Sequence, residues 1–179
     1  MTRSLPDPMK QSSGFAPIVG NDAQLLVLGT LPSIRSILAA EYYAHPRNAF
    51  WRIMAEITGA SGSYEQRCDA LRQSGIAVWD VLASSVRPGS LDADIDMNSA
   101  TVNDFDEFLT RYSSIECLCF NGQKAAKIFA SRVSSVATQS HYQLTTLPST
   151  SPAYAAMSFE EKLARWRAAI EISVKGKQL

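Results

Sequence analysis

The sequence predicts an α/β fold built on a mainly parallel sheet with helices on both faces. Two observations carry that prediction: four short apolar runs, and helical periodicity in the gaps between them. The runs cover residues 24–28, closed by Gly29, and residues 76–82, 115–120 and 142–147. The first, Gln24-Leu25-Leu26-Val27-Leu28, shows no polar alternation after its opening residue, as expected of a strand buried on both faces. Val102, Phe105, Leu109 and Tyr112 fall on one helical face, and Phe159, Leu163, Trp166, Ile170 and Val174 make a similar stripe near the end. Ser158 and Glu161 stand at the head of that stripe with the spacing of a capping box. Shorter helices are expected over residues 49–58, 64–73 and 123–133. Strands alternating with helices need crossover connections, and those bring parallel neighbours.

A chain of 179 residues suits one domain with a well-filled core. Residues 22–179 are assigned to that domain. Residues 1–21 are polar, proline-bearing and aperiodic, and read as an irregular lead-in. With 46% hydrophobic and 19% charged residues, the composition is that of an ordinary soluble globular protein. No apolar run approaches the roughly 20 residues that span a bilayer, and the first twenty residues lack the pattern of a secretory signal. A cytoplasmic protein without membrane partners is therefore expected. Cys68, Cys117 and Cys119 are odd in number and lack repeated spacing, so buried thiols are expected, not a disulfide framework. His45 and His141 are the only histidines, and no metal site is predicted. The formal net charge of zero counts against a non-specific nucleic-acid binder. Charge is uneven, however: between Thr30 and Met54, Arg35, Arg47 and Arg52 face a single acid, Glu41.

In an open parallel sheet the ligand sits beyond the carboxyl ends of the strands. Four loops, at residues 29–33, 83–91, 121–122 and 148–152, should therefore converge. The first leads into Tyr42-Tyr43-Ala44-His45-Pro46-Arg47-Asn48-Ala49-Phe50-Trp51. Aromatics can stack on an extruded base, and amides can read its edge. The structural alternative is that Asn48 caps the following helix while Phe50 and Trp51 enter the core. Asn121, in Phe120-Asn121-Gly122, can likewise cap the next helix, or present its carboxamide to an electron-rich ligand. The fourth loop holds Ser149, Thr150 and Ser151 between Pro148 and Pro152. It is either a phosphate contact or an ordinary turn. Asp80 and Asp92 are carboxylates that more often close turns or pair with a neighbouring arginine.

Taken in order, Leu28-Gly29-Thr30-Leu31-Pro32-Ser33, the Tyr42 to Trp51 stretch, Phe120-Asn121-Gly122 and Leu147 to Ala153 resemble the hypoxanthine-DNA glycosylases of the uracil-DNA glycosylase superfamily. His45-Pro46-Arg47-Asn48-Ala49-Phe50-Trp51 matches the most specific signature of that family, and Arg87-Pro88-Gly89-Ser90-Leu91-Asp92 matches a further element. The resemblance spans roughly residues 24–170. It implies a three-layer α/β/α sandwich with a four-stranded parallel sheet in the order 2-1-3-4, a monomer, and base excision without metal or organic cofactor.

The resemblance also assigns roles. Asn48 positions the attacking water and Asn121 reads the base as the catalytic pair. Gly29, Thr30, Leu31, Tyr43, His45 and Phe50 would surround the base, with Phe50 stacking on it; Tyr43, by its nearness in sequence, is the rival for that place. Arg47, Pro148, Ser149, Thr150 and Ser151 would contact DNA. The chain departs from the superfamily pattern twice. Leu31-Pro32-Ser33 lacks the water-positioning Asn or Asp of many members, and Leu147 stands where a histidine is frequent. The implied partner is DNA carrying a deaminated base, with hypoxanthine first and xanthine or uracil as further candidates. The alternative is a binding module for damaged or mismatched DNA that keeps the fold without the chemistry. An unrelated α/β enzyme ranks last, because no Walker or dinucleotide glycine fingerprint is present.

Overall fold

The computed structural model describes residues 11–137 and 139–174. Four parallel strands form the central sheet: β2 (Leu25–Gly29), β3 (Ile76–Asp80), β6 (Cys117–Asn121) and β7 (Gln143–Leu147). Their spatial order is β3-β2-β6-β7. Counted among these four alone, that is second, first, third, fourth, as the resemblance implied.

Strand alternation divides the core into two. Leu25, Val27, Ile76, Val78, Cys117 and Cys119 point to one face. There they meet α2 (Phe50–Thr58), α3 (Tyr64–Gln73) and α7 (Phe159–Ser173) through Phe50, Ile53, Leu71, Trp166 and Ile170. Leu26, Leu28, Ala77, Trp79, Leu118 and Phe120 point to the other. They pack on α4 (Phe105–Arg111) and α5 (Gln123–Arg132) through Phe105, Phe108, Ile128 and Phe129. The result is a three-layer α/β/α sandwich. The three cysteines are free and buried, two of them on the inward face of β6. The capping box at α7 is made in full: Ser158 Oγ accepts from the Glu161 N–H, and the Glu161 carboxylate accepts from the Ser158 N–H. No helix among the described residues is long and apolar enough to cross a membrane.

Three local expectations are corrected. The run at residues 76–82 is two strands, because the chain leaves the parallel sheet at Val81, whose N–H donates to the Gly29 carbonyl at 2.9 Å. It continues as β4 (Leu82–Val86), so the first half of the expected loop at 83–91 is a strand. Val102 lies in β5 (Thr101–Val102), antiparallel to β4, and not on the following helix, whose start is set by Asp104 accepting from the Glu107 N–H.

The third correction concerns the lead-in. Residues 1–10 lie outside the described residues, but β1 (Gln11–Ser13) pairs with β4 and completes a small antiparallel sheet in the order β1-β4-β5. Ile18 then exchanges both backbone hydrogen bonds with Val78, at 2.8 and 2.9 Å, and its side chain is buried. A polar, aperiodic stretch is thus ordered by main-chain pairing, which leaves no hydrophobic period in sequence. Short elements were also missed, among them α1 (Ile34–Ala39) and α6 (Ser134–Ala137).

Because Ile18 fills core space against β3, Ile18→Ala should destabilise the protein by about 2–5 kcal/mol. Chemical denaturation checks this, and a variant as stable as the wild type would show that the Ile18 side chain adds nothing to the core.

Candidate active site

The carboxyl ends of the four strands surround a cavity of about 300 Å3, at the lower end of the ~300–1,000 Å3 usual for small-ligand sites. The four loops expected to converge do so. Gly29 to Ser33 follow β2, Asp80 ends β3, Ser90 to Asp92 approach from beyond β4, Asn121 ends β6, and Ser149 to Ser151 follow β7. Tyr42, Tyr43, His45 and Asn48 supply the remaining side.

Asn48 and Asn121 both line this cavity. Asn121, 9% exposed, is held by Thr150, which is 1% exposed. Its Nδ2 donates to Thr150 Oγ1 at 2.8 Å, and its Oδ1 accepts from the Thr150 N–H at 2.8 Å. This two-point contact fixes which amide atom is which. It also excludes the capping alternative, since α5 begins at Gly122 without a side-chain cap. Gly122 has φ +99°, and a Cβ there would stand 3.1 Å from Ser149 Cβ, so glycine lets the two loops close up. The Thr150 carbonyl in turn accepts from the Ala49 N–H at 2.9 Å, next to Asn48. Thr150 therefore couples the two asparagines. At 1% exposed it is enclosed by the protein, which corrects its expected role as a phosphate contact.

Asn48 lines the cavity and also steadies the start of α2, from one position before the N-cap residue Ala49. Its Oδ1 accepts from the Phe50 N–H at 3.0 Å, the first amide of α2. That bond orients the amide while Nδ2 has no hydrogen-bond partner among the described residues. His45 accepts at Nδ1 from the Arg47 N–H at 3.1 Å, so a neutral ring carries its proton on Nε2.

Phe50 does not line the cavity. It is fully buried in the core, because it opens α2 on that helix's inward face. It stacks on Tyr43 with centroids 4.1 Å apart and meets Trp51 and Trp166 edge-on. Tyr43 is the residue that reaches the cavity, with Phe50 behind it. It is held at φ +55°, a backbone region that costs a bulky residue energy and that recurs at ligand sites. Arg47 is exposed and Pro148 half-buried, both outside the cavity wall. Ser149 and Ser151 line it, while their Oγ atoms accept from the Ser151 and Ala153 N–H groups.

Leu31 and Thr30 are buried beside the cavity, and Leu147 is a core residue. The first loop is pinned from below by Arg87, which is 3% exposed. Its guanidinium donates to the carbonyls of Leu31 and Pro32 and lies 3.9 Å from Asp92. Asp92 also accepts from Thr30 Oγ1 at 2.9 Å.

Asp80 is the group that the sequence reading undervalued. It is 3% exposed, lines the cavity and has Oδ2 without a partner; Tyr43 Oη is likewise buried and unpartnered. Burial foremost, then the nearby Asp92 carboxylate, raises the Asp80 carboxyl to about 8, with Arg87 offsetting only part. Burial, followed by Asp80, also pushes the Tyr43 phenol upward. The available signal was position: Asp80 is the one charged residue in Ile76-Ala77-Val78-Trp79-Asp80, and it sits at the ligand end of the strand.

Similarity to known proteins agrees with this geometry. A sequence model of the Uracil DNA glycosylase superfamily matches residues 17–171. The chain belongs to the uracil DNA glycosylase superfamily. Among curated relatives, a hypoxanthine DNA glycosylase from Methanosarcina barkeri is 32% identical over 120 residues, 65% of this chain and 75% of that protein. One from Methanosarcina acetivorans is 33% identical over 117 residues, 64% of this chain and 73% of that protein. A solution NMR structure of a candidate uracil DNA glycosylase from Methanosarcina acetivorans superposes with a TM-score of 0.72 at 30% identity, covering 90% of this chain and 99% of that one. Among the described residues, no group of three or more His, Cys, Asp or Glu side chains is arranged to hold a metal ion.

Two outcomes follow. A Cβ at Gly29 would stand 2.4 Å from Asp80 Oδ1 and 3.0 Å from Tyr43 Oη. Gly29→Ala should therefore displace both groups and cost about 1–3 kcal/mol in thermal or chemical unfolding. The second concerns pH. Asp80 is raised in the folded state to about 8, whereas an unfolded Asp ionises near 4. Between those values the folded protein binds the extra proton, so this group's contribution falls as pH rises, by up to about 1.4 kcal/mol per pH unit. Asp80→Asn should flatten that decline in unfolding experiments between about pH 5 and about pH 8.

Proposed function

We propose that the protein is a monofunctional DNA glycosylase that flips a deaminated base, hypoxanthine foremost, into this cavity and hydrolyses its N-glycosidic bond. The single observation that carries the reading is the convergence of Asn48 and Asn121 on one cavity at the strand tips, coupled through Thr150. The names borne by the Methanosarcina relatives support the choice of base.

The chemistry assigned to each group follows from its state. Asn121, with its orientation set by Thr150, retains one N–H and one lone pair for the edge of the base. Donors held in advance at an atom that gains charge typically contribute about 10²–10³ in rate each. Asn48, anchored through Oδ1, is assigned to holding the attacking water. An amide is too weakly basic to deprotonate that water before attack, so the role is positioning. Tyr43, backed by Phe50, supplies the stacking face. Gly29, Thr30 and Leu31 form the wall behind the base. Arg47, Pro148, Ser149 and Ser151, at or beyond the rim, are assigned to the DNA backbone, where donors position a duplex without reading its sequence. A flipped nucleotide costs a few kcal/mol, less at a mispair, so an inosine mispair favours its own selection.

A duplex with one deoxyinosine should gain an alkali-labile abasic site on incubation. Intact strands across inosine, xanthine and uracil duplexes would refute the reading, and tight binding without product would select the non-catalytic alternative. Asn48→Ala should lower single-turnover excision about 10²-fold or more, while costing only about 1 kcal/mol of stability for the lost Phe50 cap. Unchanged turnover would remove Asn48 from the mechanism.

A further inference from the structure

The floor of the cavity holds an arrangement that positioning amides leave unused. Gly29 and Asp80 are direct partners across β2 and β3. Because Gly29 has no Cβ, Asp80 Oδ1 and Tyr43 Oη both fit into the space beside it. Asp80 Oδ2 and Tyr43 Oη are buried without a hydrogen-bond partner. Buried polar atoms are nearly always paired, so an unpaired one calls for an explanation, a catalytic role among them. Asp80 lines the cavity where the base would enter, and the Tyr43 phenol beside it lies against the Asn121 amide.

We propose that Asp80 is the catalytic acid of this site, donating the proton that neutralises the base as the glycosidic bond breaks. The proposal rests on the glycosylase reading above and deepens it. In the step, the bond between C1′ and the base nitrogen breaks, and its electron pair stays with the base. The proton on Asp80 moves to an acceptor atom of the base, which departs neutral. Water forms the new bond to C1′ and loses one proton to solvent, and the Asp80 carboxylate takes one back. Base and water in, free base and abasic sugar out, with the acid restored.

The surroundings keep that proton in place before the reaction. From the segment after β4, Asp92 adds like charge, and Arg87 directs its guanidinium mainly to the Leu31 and Pro32 carbonyls and to Asp92. From the segment after α1 come the phenols of Tyr42 and Tyr43, both pushed upward chiefly by burial and then by Asp80. His45 lines the same cavity. No cation forms an ion pair with Asp80 among the described residues, and its carboxyl is raised to about 8. A carboxyl that is neutral near pH 7 and faces a ligand cavity can act as an acid there.

The test is single-turnover excision of hypoxanthine from a deoxyinosine duplex between about pH 6 and about pH 10, with wild type and Asp80→Asn. The wild-type rate should fall above about pH 8 as the acid form is lost. Asp80→Asn should be about 10²-fold slower or more, should lack that descending limb, and should bind an abasic-analogue duplex as tightly as wild type. A wild-type rate that stays level from about pH 7 to about pH 9 overturns the proposal, however the variant folds. So does a variant within about threefold of wild type. A wild type that excises no base at all refutes the glycosylase reading itself and the acid with it, which separates the two failures.

Discussion

The site depends on one residue that touches both halves of it. Thr150 spends its N–H and hydroxyl on the Asn121 amide and its carbonyl on the Ala49 N–H. These bonds lie in a buried region, where an unmade partner costs about 1–3 kcal/mol, so losing any one of them would weaken the join. Through them the loop after β7 is joined to the tip of β6 and to the start of α2. Two amides that stand 73 positions apart in the chain thereby acquire a fixed relation. Without that strut, each asparagine would be a polar side chain on an independent loop.

The rest of the architecture places this strut and the groups around it. Splitting of the core by strand alternation puts Phe50, Trp51 and Trp166 on one face, behind Tyr43 and the fourth loop. The opposite core holds Leu31 and Trp79, beneath the first loop. Arg87 adds a polar clamp from below: a buried guanidinium, lowered by its own desolvation, whose donors go to main-chain carbonyls of the first loop. Where many superfamily relatives carry a water-holding side chain, this chain has Leu31-Pro32 fixed by an arginine. The Leu31-Pro32 part of the loop is thus an apolar wall, and polar side chains of the cavity come from other segments, Asn48, Asp80 and Asn121 among them.

Much of this was legible in the residues, and the parts that were not have physical reasons. Three of the parallel strands, β2, β3 and β6, showed as largely apolar runs because both of their faces are buried, whereas β7 is mostly exposed and mixes threonine with leucine; α7 announced itself through Ser158 and Glu161. Asn48 and Asn121 stood out through the segments that carry the family resemblance, but that both line one cavity was not visible in the sequence and needed the fold. Phe50 was placed wrongly as a stacking surface: sequence locates an aromatic beside a site but does not tell which side of a helix turn faces it. Thr150 looked like a phosphate contact because a hydroxyl between prolines carries no mark of burial. Asp80 was discounted for the same reason. Its importance lies in the absence of partners, and partners 12 residues or more away cannot be read from local spacing. The strand β1 and the Ile18 bridge escaped because main-chain pairing needs no side-chain period.

The three tryptophans share a use beyond filling the core. Trp51 donates its indole N–H to the Tyr42 carbonyl, Trp79 to that of Phe15, and Trp166 to that of Pro148. Each indole is therefore wired to a connecting segment: the aromatic stretch, the ordered lead-in and the fourth loop. Indole emission responds to the polarity and bonding around the ring nitrogen. The intrinsic fluorescence of this protein is consequently a readout of its connecting segments, with one built-in optical probe on each of the three.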